Sequence, residues 1–140
     1  MAGRRVAARR AIEEIWTGAN PAAIDEVYAD GFIGRSNLSS TVVNGREDVR
    51  KYTLEFAEAI GNLRFEVLDQ VCDGDTVATR WTGMGDRLAL VLSELGLDTG
   101  PLRTAGITIH RFAGPQIVES WTYWDAHSLP RGLRLVEDEA

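Results

Sequence analysis

The stretch ITIHRFAGPQIVESWTYWD, Ile107 to Asp125, decides how the rest of the chain is read. β-Branched and aromatic residues crowd both sides of Ala113-Gly114-Pro115, which is the composition of two strands joined by a tight turn. The spacing predicts one strand over Leu102 to Phe112 and another over Gln116 to Asp125. Upstream, Thr76 to Gly85 is rich in Val, Thr and Trp and reads as a further long strand. Before it, Leu63, Phe65 and Val67 alternate with Arg64 and Glu66, and Asp73-Gly74-Asp75 supplies the hairpin turn between the two. Between the hairpins, Leu88 to Leu97 is apolar without alternation and is expected to be a loop or short helix.

Ahead of these four strands the period changes to that of helices. Ala8, Ala11, Ile12, Ile15 and Trp16 make one apolar face, ending near Gly18. Asn20-Pro21 reads as an N-cap followed by proline in the first turn of a short second helix, with Ile24, Val27 and Tyr28 inward and a stop at Asp30-Gly31. Phe32 and Ile33 begin a short extended segment, and Asn44-Gly45 turns the chain. Val49, Tyr52, Phe56, Ala59 and Ile60 then mark a third helix, with Gly61 expected at its C-cap. Helices first and an antiparallel meander after is the order of an α+β domain, not of alternating βαβ units.

Composition sets bounds. At 140 residues, 44% hydrophobic and 26% charged, the chain is expected to be one globular domain over 1–130, with a polar tail over 131–140. A net charge of −6 argues against nucleic acid as a partner, since phosphate binding needs a basic surface. The one basic run, Arg4, Arg5, Arg9 and Arg10, has the look of a transit peptide but continues straight into the first helix. One cysteine, Cys72, permits no intrachain disulfide, and no apolar run is long enough to cross a bilayer, so a cytoplasmic protein without a membrane partner is expected. Two histidines and one cysteine in no ligand spacing, with no glycine-rich phosphate loop, point to no metal and no cofactor.

Several of these residues together resemble the SnoaL-like polyketide cyclases. The last hairpin carries that family's pattern: Ile107 to Phe112, a Gly turn, Ile117, then Glu119-Ser120-Trp121, an acid at Asp125 and Leu129 beyond it. Gly74-Asp75-x-Val77, Arg80-Trp81, Thr99-Gly100 and Gly45 before the third helix also fit, so the resemblance runs from about Ile12 to Leu129. It implies the nuclear transport factor 2-like fold: three N-terminal helices packed on a strongly curved, mainly antiparallel sheet, forming a cone and assembling as a homodimer. It implies a pocket for a small apolar molecule and the chemistry of a cyclase or isomerase of secondary metabolism.

The residues that would carry such chemistry depart from the family in two places. An Asp acting as general acid/base commonly follows the Glu-x-Trp tryptophan, and here that position is Thr122; the position of a family histidine on the preceding strand falls on Thr108. Threonine does not carry a proton at neutral pH. His110 lies two residues beyond Thr108 on the same strand face and is the best general base the chain offers, with Asp125 as its acid/base partner or anchor. Tyr52, Trp81, Thr108, Thr122, Trp124 and Arg35 are the expected substrate contacts, with Phe112 completing an aromatic pocket. Strict alternation sets Asp125 on the face opposite Thr122, and a surface ion pair is the favoured alternative for Arg35. Leu88 to Leu95 would form an apolar lid or a dimer contact, and His127 a solvated loop residue. A limonene-type epoxide hydrolase would need Arg-x-Asp at Arg80, where Trp81-Thr82 follows. A non-catalytic ligand-binding or dimerisation module of the same fold remains the principal alternative.

Overall fold

The computed structural model describes residues 2–86 and 101–125. The first helix, α1 (Ala2–Arg10), runs on through one π turn at Ala11–Ile15, marked by the bond from Trp16 N–H to Ala11 O at 3.0 Å. Ala8, Ala11, Ile12 and Ile15 are all buried against the sheet. The arginines of this segment are consumed by the fold. Arg4 donates to the carbonyls of Gly74 and Gly114, one in each hairpin turn, and Arg5 exchanges hydrogen bonds with Gln70. The Glu13 carboxylate accepts the Val67 N–H at 2.9 Å.

A 3-10 turn, Pro21–Ala23, leads into α2 (Ile24–Val27). Asn20 holds the cap position, but its side chain bonds to Glu14 and not to the helix end. Tyr28 is no longer helical. It begins β1 (Tyr28–Ser36), is buried, and accepts a hydrogen bond from Trp16 Nε1 at 2.9 Å. A two-residue β2 (Val43–Asn44) precedes α3 (Gly45–Ala59). The left-handed residue after α3 is Asn62, at φ 51, one position past Gly61.

The long strands then follow: β3 (Arg64–Asp73), β4 (Thr76–Gly85), β5 (Leu102–Ala113) and β6 (Gln116–Trp124). Two-residue turns join β3 to β4 and β5 to β6, with Gly74 at φ 61 and Gly114 at φ 58. The sheet is six-stranded, ordered β2-β1-β6-β5-β4-β3. All its pairings are antiparallel except β1 with β6, which is parallel. Three helices on this mixed sheet make the architecture α+β, and the added pair β1–β2 extends the four-strand meander that periodicity reveals.

The ladder is irregular at three points: between Tyr28 and Ile33, between Val67 and Asp69, and between Arg111 and Phe112. Such insertions bend a strand and sharpen its twist. At the second, Glu13 occupies the N–H of Val67, which ties the first helical segment to the bend. The largest core cluster packs Ile15, Ile24, Tyr28, Phe32, Phe112 and Ile117 together beneath the hairpin turns that Arg4 holds. Each fully buried aliphatic side chain of that set stabilises the fold by roughly 1.5–3 kcal/mol. A second cluster, Ile60, Leu63 and Leu102, lies at the other end of the strands.

Candidate functional site

Register across β4, β5 and β6 lays the inward side chains out in three rows. Trp81 pairs with Gly106 and Gly106 with Trp124; Thr79 pairs with Thr108 and Thr108 with Thr122; Val77 pairs with His110 and His110 with Ser120. No inward position of these three strands carries a charged residue, the only titratable side chain among them being His110.

The first row is aromatic. The indoles of Trp81 and Trp124 meet edge to face, with centroids 4.9 Å apart, because Gly106 puts no side chain between them. A Cβ on Gly106 would stand 2.6 Å from Trp81 Cζ2. Phe65 packs against both indoles, and Phe56 of α3 against Trp124. Phe56, Phe65 and Trp124 are half-buried, so this wall still presents aromatic surface.

The second row is a chain of neutral hydrogen bonds. Trp81 Nε1 donates to Thr108 Oγ1 at 3.0 Å, and Thr108 Oγ1 lies 3.1 Å from Thr122 Oγ1. The direction of the second bond follows from burial. Were Thr122 the donor, Thr108, only 2% exposed, would hold a buried proton with no acceptor. Thr108 therefore donates to Thr122, and the free O–H of the chain is that of half-buried Thr122. Its backbone is held from the side by Asn37, whose N–H donates to Thr122 O at 3.1 Å. The Asn37 side chain continues the ladder, donating from Nδ2 to Trp124 O and accepting Trp124 N–H at 2.8 Å. Nothing in the periodicity of the sequence singles out Asn37; only the parallel β1–β6 pairing reveals it.

The third row holds His110, 1% exposed. Burial alone pushes its imidazole down to about 3, far below the ordinary value of 6.5. It is neutral at pH 7 and a weak base, which departs from the expectation of a base tuned near neutrality. Neither ring nitrogen has a hydrogen-bond partner among the described residues, and Nδ1 is fully buried.

Other expected site residues lie elsewhere. Asp125 follows β6 as an exposed residue whose N–H donates to Ala105 O. Three residues beyond Thr122 with no bulge between, it falls on the opposite face, five ladder positions from the His110 pair. Arg35 is also on the outer face, in an ion pair with Glu119 at 3.8 Å; Glu119 in addition accepts Arg111. The same parity argument applies to both, since alternate side chains leave a strand on opposite faces. Phe112 belongs to the core cluster under the turns, not to the Trp124 wall. Tyr52 is half-buried on α3 between Val49 and Phe56, with the Lys51 ammonium 5.1 Å from its ring centroid. Trp81, Thr108, Thr122 and Trp124 are the expected residues that the structure brings together. Arg80 pairs with Asp69 on exposed surface, away from them. The apolar stretch Leu88 to Leu97, His127 and the tail over 131–140 lie outside the described residues.

Among the described residues no group of three or more His, Cys, Asp or Glu could hold a metal ion, and no helix is long and apolar enough to cross a membrane. A cleft of about 290 Å³ at the start of α3 is lined by Asp25, Asp30, Arg46, Glu47 and Arg50, which satisfy one another in ion pairs.

A family model described as SnoaL-like polyketide cyclase matches residues 6–133. Among solved structures, a protein assigned to the SnoaL-like polyketide cyclases from Jannaschia sp. CCS1 superposes with a TM-score of 0.74 at 19% identity, over 91% of this chain and 88% of that one. TsrD from Streptomyces laurentii gives 0.71 at 19% identity over 91% of both chains. A protein of ketosteroid isomerase-like fold from Catenulispora acidiphila DSM 44928, solved with trimethylamine, gives 0.69 at 22% identity over 84% of this chain and 85% of that one. At these identities the likeness to solved structures is one of fold. No curated protein sequence matches the chain.

Proposed function

Since this chain belongs to the SnoaL-like polyketide cyclase family, we propose that it is a cofactor-independent cyclase or isomerase for a small, neutral, polyketide-like intermediate of secondary metabolism. One observation carries the reading: the chain Trp81–Thr108–Thr122 ends in a free hydroxyl beside an aromatic wall, on a sheet face without charge. The wall of Trp81, Trp124, Phe65 and Phe56 would hold a flat or folded apolar molecule in a near-attack shape. The Thr122 hydroxyl, already polarised by the two donors behind it, would bond a carbonyl and stabilise the charge that develops there. It would stay protonated throughout, so ring closure would rest on shape and hydrogen bonding more than on proton transfer.

The test is an aromatic β-keto ester able to close by aldol addition, followed by absorbance. Wild type should accelerate closure over buffer, and Thr122→Val should lower kcat by about tenfold to a hundredfold, the range for a lost donor. The lack of any charged side chain at the inward positions of β4, β5 and β6, where His110 is neutral, favours a second reading, a non-catalytic binder of the same ligand class. Tryptophan quenching without acceleration would select the binder. Neither signal would refute both.

A homodimer is proposed on the opposite face. Ile107, Tyr123 and Val71 stand 44%, 55% and 69% exposed there, beside half-buried Ile109 and Trp121. Light scattering should return about twice the chain mass, and a monomer would remove the assembly.

A further inference from the structure

The two edges of the sheet are built differently. One is β2, two residues long; the other is β3, ten residues long, with β4 its only strand neighbour. A long free edge is a row of unpaired N–H and C=O groups and a template for a second strand. The two-residue turn makes Asp73 and Thr76 a bonded pair, so by alternation Val71 also faces β4, and the backbone groups of Cys72 and Gln70 face outward.

Two side chains of the first helical segment reach this edge. Arg5 Nη1 donates to Gln70 O at 3.2 Å, and the Gln70 side chain donates back to Arg5 O at 2.9 Å. Glu13 Oε2 accepts Val67 N–H at 2.9 Å, and Arg9 pairs with the same carboxylate oxygen at 3.4 Å. One acceptor and one donor of the edge are thereby occupied, on either side of the irregularity between Val67 and Asp69. The strand itself does little to repel a copy. Asp69, near its middle, is neutralised by Arg80 at 3.2 Å, and Leu68 and Val71 stand 42% and 69% exposed on either side of Asp69 and Gln70.

We propose that Arg5 and Glu13 guard the β3 edge and keep a second copy of the chain from adding its own β3 there. The excluded occupant is the same strand, because an antiparallel β3–β3 pair is self-complementary about a two-fold axis: outward donors of one copy meet outward acceptors of the other. The guard also limits assembly. Edge pairing added to association through the outer sheet face would give each chain two separate interfaces, and such contacts propagate instead of closing. The proposal is independent of the pocket reading.

The experiment follows weight-average mass by light scattering, and amide exchange over 66–72 by mass spectrometry, as the purified full chain is concentrated. Wild-type exchange over 66–72 should not change with concentration. Arg5→Ala/Glu13→Ala should reach at least about twice the wild-type mass at the same concentration, with exchange over 66–72 slowing in step. Glu13→Gln keeps an acceptor for Val67 N–H and should behave as wild type. A folded double variant with wild-type mass at every concentration overturns the proposal. Rising mass with unchanged exchange also overturns it, by moving the contact off β3. So does association of Glu13→Gln as far as Glu13→Ala, which would make charge and not edge closure the barrier. Should the double variant not fold, Glu13→Ala alone, which frees only the Val67 N–H, is read by the same two signals.

Discussion

Gly106→Ala adds one methyl group at the point where two indoles and a backbone converge. The new Cβ would stand 2.6 Å from Trp81 Cζ2, 2.7 Å from Trp81 Cη2 and 2.7 Å from the carbonyl oxygen of Tyr123. The indole cannot swing away freely, because Trp81 is 2% exposed and its Nε1 is bonded to Thr108. The carbonyl belongs to the β5–β6 ladder and moves only with its strand. Overpacking of this sort costs about 1–3 kcal/mol, and contacts on two unyielding partners place Gly106→Ala at about 3 kcal/mol. For 140 residues, an unfolding entropy of about 0.3 kcal/mol/K converts this into a Tm lowered by about 10 °C. Thermal unfolding by circular dichroism measures the shift, and the near-ultraviolet signal of the Trp81–Trp124 pair should shrink with it. Gly31→Ala is the control. Gly31 is exposed, and a methyl group added there would meet nothing within 4 Å, so its cost should stay within about 0.5 kcal/mol. A Gly106→Ala protein that melts within about 2 °C of wild type, with its aromatic signal intact, would refute the claim that glycine at this position sets the indole contact.

Two other outcomes follow from the same rows. The folded state holds His110 at about 3, below the ordinary 6.5 that the unfolded chain should show, so the unfolded chain binds the proton first. Stability should then fall as pH drops from 6.5 toward 3, by up to about 1.4 kcal/mol per pH unit; urea titrations should find a shallower slope for His110→Phe than for wild type, and parallel slopes would show that His110 is not buried neutral. Asn37→Ala removes both side-chain bonds to Trp124, and because the site is partly solvated the loss should be about 1–2 kcal/mol. Tryptophan emission should shift to the red as Trp124 loosens, and an unchanged spectrum would mean that ring packing alone holds it.

What was legible in the sequence was whatever depends on near neighbours. The strand Thr76 to Gly85 matches β4 residue for residue, and Gly74 and Gly114 mark the two hairpins, because alternation and turn chemistry are local. The parallel pairing of β1 with β6 joins segments some 90 residues apart and leaves no local trace, so both it and the clamp by Asn37 stayed hidden. The π turn at Ala11–Ile15 was equally invisible, since helical apolar spacing tolerates one inserted residue. Within the site, face parity did the sorting. The spacing of Thr108 with His110, and of Thr122 with Trp124, survived because no bulge separates them, and the same alternation carries Asp125 and Arg35 outward. The state of His110 was illegible for another reason: residue type gives an intrinsic proton affinity, while burial, which the whole fold supplies, determines the shift.

The two bonds of Arg4 have a bearing on how the chain is made. Its partners, the carbonyls of Gly74 and Gly114, lie 70 and 110 residues downstream. At translation rates of roughly 5–20 residues per second, the first helix waits about 5–20 s for its second partner to leave the ribosome. For that time the apolar face of Ala11, Ile12 and Ile15, and the indole of Trp16, have no sheet to cover them. That apolar face is therefore uncovered for seconds during synthesis, while the Arg9–Glu13 and Arg10–Glu14 pairs lie along the same helical segment.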